Sequence, residues 1–396
     1  SYLDSINVTS SKYNNGIQFL KNIDNNLYCL CNKTLYRSSD LGDSWVAVAD
    51  SLMNYCVYNN DIYRVWASYD NYFNHQTTFR FDKLGADSKW NNLSVTKYDR
   101  MAPDLYFQNI IFIDSLHIAM TGTSSHLSVS SEGGKSWELK SLLYTNGKAK
   151  WFNPDTGVCL AGKAIVYRTT NGGTTWLPNK ITDSYIKYFA ENKFRTTSTA
   201  YLDLDSSGLV FATYPINDYF GTEVNILKST DFGDSFEAII DTNLNAHKSL
   251  FNKSVKWNGN RTIAFKDSDF SYNIATFDSN LNSLWNNTNI QKEIYGLFYF
   301  SGKHYVVASE LSTEISGIDT VTNENFSLME SSDTCKTWQE TAKLFNIPRK
   351  EGYFTPSISS NLFNGHLIIL AQEHIAPIGK PNLSEWTVHE YNMPNG

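Results

Sequence analysis

Four stretches of the sequence concentrate side chains that bind or catalyse. WASYDNYFNHQ (66–76) carries Trp66, Tyr69, Asp70, Tyr72, Phe73 and His75, and YPINDYFGTEVN (214–225) carries Tyr214, Asp218, Tyr219, Phe220 and Glu223. SELSTEISGIDTVTNEN (309–325) adds Glu310, Glu314 and Asp319, and AQEHIAPIGKPN (371–382) adds Glu373 and His374. Two chemistries fit such sets. Aromatic rings beside polar groups stack on sugars or anchor a protein partner. Two carboxylates held roughly 5–9.5 Å apart hydrolyse a glycosidic bond. His75 and His374 are the residue types of general bases or single metal ligands. No His-x-x-x-His pair, phosphate-cradling glycine loop or nucleophile elbow accompanies them. No metal and no cofactor is therefore expected.

The elements that must hold these stretches are announced by a repeat. RSSDLGDSW (37–45) returns as SSEGGKSW (130–137), TTNGGTTW (169–176), STDFGDSF (229–236) and SSDTCKTW (331–338). Each position has a mechanical role. Asp40, Glu132, Asn171, Asp231 and Asp333 can take N–H groups of their own turn. Gly42, Gly134, Gly173 and Gly233 allow a positive φ, and the closing aromatic starts the next strand. The unit is strand–turn–strand. Weaker versions, FDKLGADSKW, FDSNLNSLW and GKPNLSEW, fill the gaps. The aromatic anchors are then Trp45, Trp90, Trp137, Trp176, Phe236, Trp285, Trp338 and Trp386, spaced 45, 47, 39, 60, 49, 53 and 48 residues apart. A period near 50 with four short strands per unit is the signature of a β-propeller.

The motif resembles the Asp-box, or bacterial neuraminidase repeat, of sialidase-like and sortilin-like propellers. Cys335 in place of a glycine and Glu132 in place of an aspartate depart from it. The resemblance implies a structural role for Asp40, Glu132, Asn171, Asp231 and Asp333, at turns between third and fourth strands, away from the ligand face. It implies that the strand 2–3 loops and the blade-joining loops, 177–194 and 339–353 among them, share the ligand face. Sialidases of this kind hold a carboxylate with three arginines, the first in an Arg-Ile-Pro motif. This chain has eight arginines and no such motif near its start; Ile347-Pro348-Arg349 is a permuted form late in the chain. The family's catalytic residues therefore do not carry over. Asp-box relatives also include peptide-binding receptors and photosystem-assembly scaffolds, and the Asn/Ser/Tyr-rich texture here is similar to secreted bacterial surface proteins.

Composition narrows the partners. With a net charge of −7 and no Lys/Arg-rich run, nucleic acid and anionic membrane are poor ligands. No apolar run reaches the ~18 residues of a membrane helix. The start at Ser1, with no leader pattern, reads as a mature or trimmed chain. Five cysteines in no zinc spacing read as free thiols, Cys29 and Cys31 sharing one strand face.

The sequence thus predicts an all-β propeller, residues 1–396 as one domain, with eight four-stranded blades, or seven as the alternative. SINVTS (5–10) is expected to pair with the last blade, and SYIKYFAENKF (184–194) is the one helix candidate. The expected function is binding of a glycan or an extracellular protein by a monomer, outside the cytoplasm and without membrane insertion. Trp66, Tyr69, Tyr72, Tyr219 and Phe220 would stack, and Asp70, His75, Asp218, Arg349, Glu373 and His374 would make polar contacts. The alternative is a glycoside hydrolase using Asp70, Asp218, Glu310 or Glu373 on the same face.

Overall fold

The computed structural model describes residues 6–8, 20–23, 25–31, 34–49, 54–70, 76–98, 107–122, 126–141, 149–161, 165–178, 180–181, 201–204, 210–218, 221–238, 250–266, 272–279, 283–290, 292–316, 319–349, 357–363, 365–374 and 384–393. Every regular element among them is a strand. The helix candidate at 184–194 lies outside the described residues.

The strands fall into eight sheets among the described residues. β2 (Leu20–Ile23), β3 (Asn26–Cys31), β4 (Thr34–Ser38) and β5 (Val46–Ala49) form one. β6 (Asn54–Tyr58), β7 (Asp61–Asp70), β8 (Gln76–Leu84) and β9 (Trp90–Tyr98) form the next. Then come β10 (Phe107–Phe112), β11 (Ile118–Gly122), β12 (His126–Ser130) and β13 (Glu138–Ser141), followed by β14 (Ala149–Trp151), β15 (Gly157–Ala161), β16 (Ile165–Thr169) and β17 (Leu177–Pro178). A five-stranded sheet holds β18 (Lys180–Ile181), β19 (Tyr201–Leu204), β20 (Val210–Asp218), β21 (Gly221–Ser229) and β22 (Ser235–Ala238). β23 (Leu250–Trp257), β24 (Asn260–Lys266), β25 (Tyr272–Phe277) and β26 (Ser283–Ile290) precede β27 (Glu293–Phe300), β28 (Lys303–Ser316), β29 (Asp319–Ser331) and β30 (Gln339–Arg349). The last sheet joins β31 (Ser357–Phe363), β32 (His366–His374) and β33 (Ser384–Asn392) to β1 (Ile6–Val8). Antiparallel four-stranded sheets in sequential order make this an all-β propeller.

Three expectations need correction. Trp386 does not open a fourth strand. It lies within β33, the third strand of its sheet, opposite Ile6 of β1, which supplies the outer strand. Four strands per unit fails once, because Lys180–Ile181 pairs parallel to β22 as an extra strand. The segment 339–349, read as a joining loop, is the strand β30. The expected pairing of 5–10 with the last sheet is found at Ile6–Val8.

The chain divides into two compact units, Ser1–Ser51 with Asn252–Gly396 and Leu52–Phe251. In the first, Ile294, Leu297, Val306 and Ala308 pack with Ala264, Tyr272 and Ile274 of the preceding sheet. Tyr305, Val307, Phe326 and Leu328 pack on Leu367, Ile369 and Ala371 of the following one. In the second, Phe79 and Phe81 meet Ile110 and Met120. Ala119 and Leu127 meet Trp151 and Cys159. Strand alternation sends one set of apolar side chains to each neighbour, and each fully buried side chain contributes about 1.5–3 kcal/mol.

Candidate functional site

The repeated turns are occupied with holding themselves together. In the first, Ser38 Oγ donates to Asp40 Oδ1 at 2.7 Å and accepts from Gly42 N at 2.7 Å. Asp40 in turn accepts Ser44 N at 2.9 Å and Ser44 Oγ at 2.6 Å. Asp231 and Asp333 repeat the pattern with Ser235 and Thr337, whereas Asn171 accepts Thr175 N on Oδ1 and donates from Nδ2 to Thr175 Oγ1. Glu132, one methylene longer, takes the Ser136 hydroxyl at 2.7 Å. Cys335 keeps the backbone of the glycine it replaces, at φ +67°, and its N–H donates to Ser331 Oγ. These carboxylates are acidic for that reason. Hydrogen bonds from Thr337 bring Asp333 down to about 2. At Asp231 burial acts upward, but bonds from Ser235, Ser229 and the Asp234 N–H outweigh it and leave the carboxyl at about 2.

Neighbouring sheets clasp three of the turns. Ser94 Oγ donates to Gly134 O at 2.5 Å, and Lys140 Nζ reaches Gly172 O and Thr174 Oγ1 at 3.1 Å. Arg168 donates to Phe232 O at 3.0 Å and to Asp234 at 2.9 Å. The end of each sheet that carries such a turn is thus engaged in structure.

The opposite ends carry the candidate binding residues, on elements more regular than the sequence suggests. The described residues of 214–225 and 309–325, read as loops, are strand. β28 and β29 remain paired from His304↔Ser331 to Ser316↔Asp319, and β20 and β21 from Val210↔Ser229 to Asp218↔Gly221. Alternating Thr, Val and Ile suit a pleated ribbon, as in Thr313, Ile315, Thr320 and Val321. Trp66 is part-buried on β7, opposite Arg80 of β8. Tyr69 and Asp70 end β7, opposite Thr77 and Gln76. Asp218 ends β20, and Arg349 ends β30 opposite Thr322. Glu373 and His374 end β32, opposite Glu385 and Ser384. Tyr72, His75, Tyr219 and Phe220 lie outside the described residues. The structure thus places Trp66, Tyr69 and Asp70 on one ribbon, and Glu310 and Glu314 on another, whose sheet also carries Arg349.

Residues missed by the sequence reading fix the root of the longest ribbon. Tyr295 Oη donates to Glu324 Oε1 at 2.7 Å, and Ser309 Oγ donates to the same oxygen at 2.7 Å. Glu324 is 1% exposed. Burial, reinforced by the carboxylate of Glu324, pushes the Tyr295 hydroxyl well above the ordinary phenol range. On the other face of the sheet, Lys292 Nζ lies 3.1 Å from Glu340 and 3.4 Å from Glu310. The Lys292 hydrogen bond lowers the Glu340 carboxyl. Beside them Tyr272 Oη donates to Glu293 Oε1 at 2.6 Å. A carboxylate in the apolar alternation Glu324, Phe326, Leu328 was the available signal, since buried charge needs donors.

No protein-family model matches this sequence, and no curated protein matches it. Among solved structures the chain is similar to YCF48 from Cyanidioschyzon merolae, at 12% identity over 94% of each chain with a TM-score of 0.42. It is similar to Saccharomyces cerevisiae Sqt1 at 10% identity, over 98% of this chain and 96% of that one, with a TM-score of 0.49. It is similar to the phage phi92 endosialidase at 11% identity, over 87% and 67%, with a TM-score of 0.40. Likeness at such identities concerns fold alone. The sheet order and these turns define the class: a β-propeller of mainly four-stranded sheets.

Proposed function

We propose that this chain is a binding propeller of the Asp-box kind, one domain and one copy, working outside the cytoplasm. It takes a protein or glycan ligand at the sheet ends that bear the long ribbons. The carrying observation is the contrast between the two ends of the sheets. At one end, tight turns use their polar groups internally and are clasped by neighbours. At the other, among the described residues, β20–β21 and β28–β29 run on past both companions, and β7–β8 runs on past β6. Projecting elements on a rigid scaffold are where recognition usually sits. Trp66, Tyr69, Tyr72, Tyr219 and Phe220 supply stacking surfaces in this reading, and Asp70, His75, Asp218, Arg349, Glu373 and His374 supply polar contacts.

Incubation with a mixed glycan and peptide library, with mass spectrometry of bound and free pools, tests this. Capture without cleavage is the expected result. New, smaller glycans in the free pool would replace the binding reading with a glycoside hydrolase using carboxylates such as Asp70, Asp218, Glu310 or Glu373.

A further inference from the structure

The β27–β30 sheet is built unevenly. Its first strand stops short: the last pair between β27 and β28 is Glu293↔Ser309. β28 continues to Ser316, paired on its other side to β29 throughout. β29 is itself backed by β30 as far as Thr322↔Arg349. The chain enters β27 from β26 through residues 291–292 alone, so this connection contributes no strand alongside the overhang. Among the described residues, no strand pairs with β28 between Glu310 and Ser316 on the side of β27.

An unpaired strand edge presents a row of backbone donors and acceptors. This one is also stiff. The bonds of Tyr295 and Ser309 to Glu324 pin its root on one face. Lys292, held between Glu310 and Glu340, pins the other. Asn325 Nδ2 donates to Ser312 Oγ at 2.7 Å across the ribbon. An edge fixed before binding loses little entropy when it acquires a partner. Its described side chains suit a partner of particular character. Leu311 is 57% exposed, and Glu310 is 55% exposed at the side chain. Among the described residues the cation beside Glu310 is Lys292, which Glu340 also holds, so two carboxylates there face one cation.

We propose that the β28 edge from Glu310 to Ser316 receives an extended, basic peptide segment as an added β-strand. Leu311 gives it an apolar contact, and Glu310, one of two carboxylates that share Lys292, receives a cation of the partner. The proposal rests on the binding reading above and narrows it to a protein ligand held by main-chain hydrogen bonds.

The test uses the full chain and a fluorescein-labelled octapeptide alternating valine and lysine, read by fluorescence anisotropy. Binding is expected. The same peptide with every backbone nitrogen methylated loses it, and a valine–glutamate octapeptide binds about tenfold or more weakly. Leu311→Lys, at an exposed position, weakens binding about tenfold with an unchanged melting curve. Of Ser312→Pro and Thr313→Pro, the one that removes an edge N–H abolishes it. No binding of the valine–lysine peptide, binding that survives methylation, or binding indifferent to all three variants overturns the proposal. Capture of glycans by a chain that ignores the peptide overturns the edge site and leaves the broader reading standing. A chain that captures neither overturns both.

Discussion

The phenol of Tyr295 donates to the carboxylate of Glu324 at 2.7 Å, joining the first strand of its sheet to the third across a position that is 1% exposed. Ser309 of the second strand donates to the same oxygen. One carboxylate thereby ties three strands at the level where the ribbon leaves the sheet. Tyr295→Phe removes one donor and leaves Ser309, so the expected loss is about 1 kcal/mol in urea unfolding. Glu324→Leu strands both hydroxyls. It is expected to cost about 2–3 kcal/mol and to raise amide exchange in residues 309–326.

The turns predict a second effect. Asp231→Ala removes acceptors for Ser235 N, Ser235 Oγ, Asp234 N and Ser229 Oγ. The site is exposed, so the expected loss is about 1–2 kcal/mol, measured by thermal melting. Binding to the library is expected to be unaffected, since the turn lies at the opposite end of its sheet from the ribbon.

Gly173 has φ +82°, and an added Cβ would stand 2.5 Å from Leu127 Cδ2 and 3.1 Å from Trp151. Gly173→Ala therefore meets both strain and overlap. The expected cost is about 2–4 kcal/mol in denaturant unfolding. A change below about 0.5 kcal/mol would contradict the packing described around Trp151.

Acid has two windows. His304 is 2% exposed between Trp257 and Tyr299, with Nε2 3.1 Å from Thr262 Oγ1. Burial lowers its pKa from 6.5 to about 4. The unfolded chain therefore binds the proton first, and stability falls as pH drops below about 6.5, levelling off below about 4. Between pH 7.5 and 5.0 the expected loss from His304 is on the order of 2 kcal/mol; His304→Gln removes that share and leaves the one from His389, which burial likewise lowers to about 4. Asp231 and Asp333 act lower. Their depressed pKa values stabilise the fold above about 3.8, and that contribution disappears as pH falls toward about 2.

Much of the scaffold was legible because the turns write their mechanics into residue types. Ser38, Asp40, Gly42 and Trp45 each have one local job, and the spacing of such sets counts out the sheets. Trp386 departs from the pattern for a related reason: its sheet takes its fourth strand from residues 6–8, so a Trp near the expected spacing stands on the third strand. The ribbon was harder to see. Ser, Thr, Asn and Glu in 309–325 read as loop by polarity, yet a solvated hairpin needs only alternation and β-branched residues, which Thr313, Ile315, Thr320 and Val321 supply. Tyr295 and Glu324 are 29 residues apart in sequence, and no local pattern joins them.

The measurement that bears most directly on the central claim compares capture from the mixed glycan and peptide library by three chains. These are the unaltered protein, a Trp66→Ala, Leu311→Lys double variant at the ribbons, and Phe232→Ser at a repeat turn, where Phe232 is 40% exposed. Binding at the ribbon ends predicts that the double variant loses its ligands while Phe232→Ser retains them. Ligands lost by Phe232→Ser and kept by the double variant would place recognition at the turns and contradict the account.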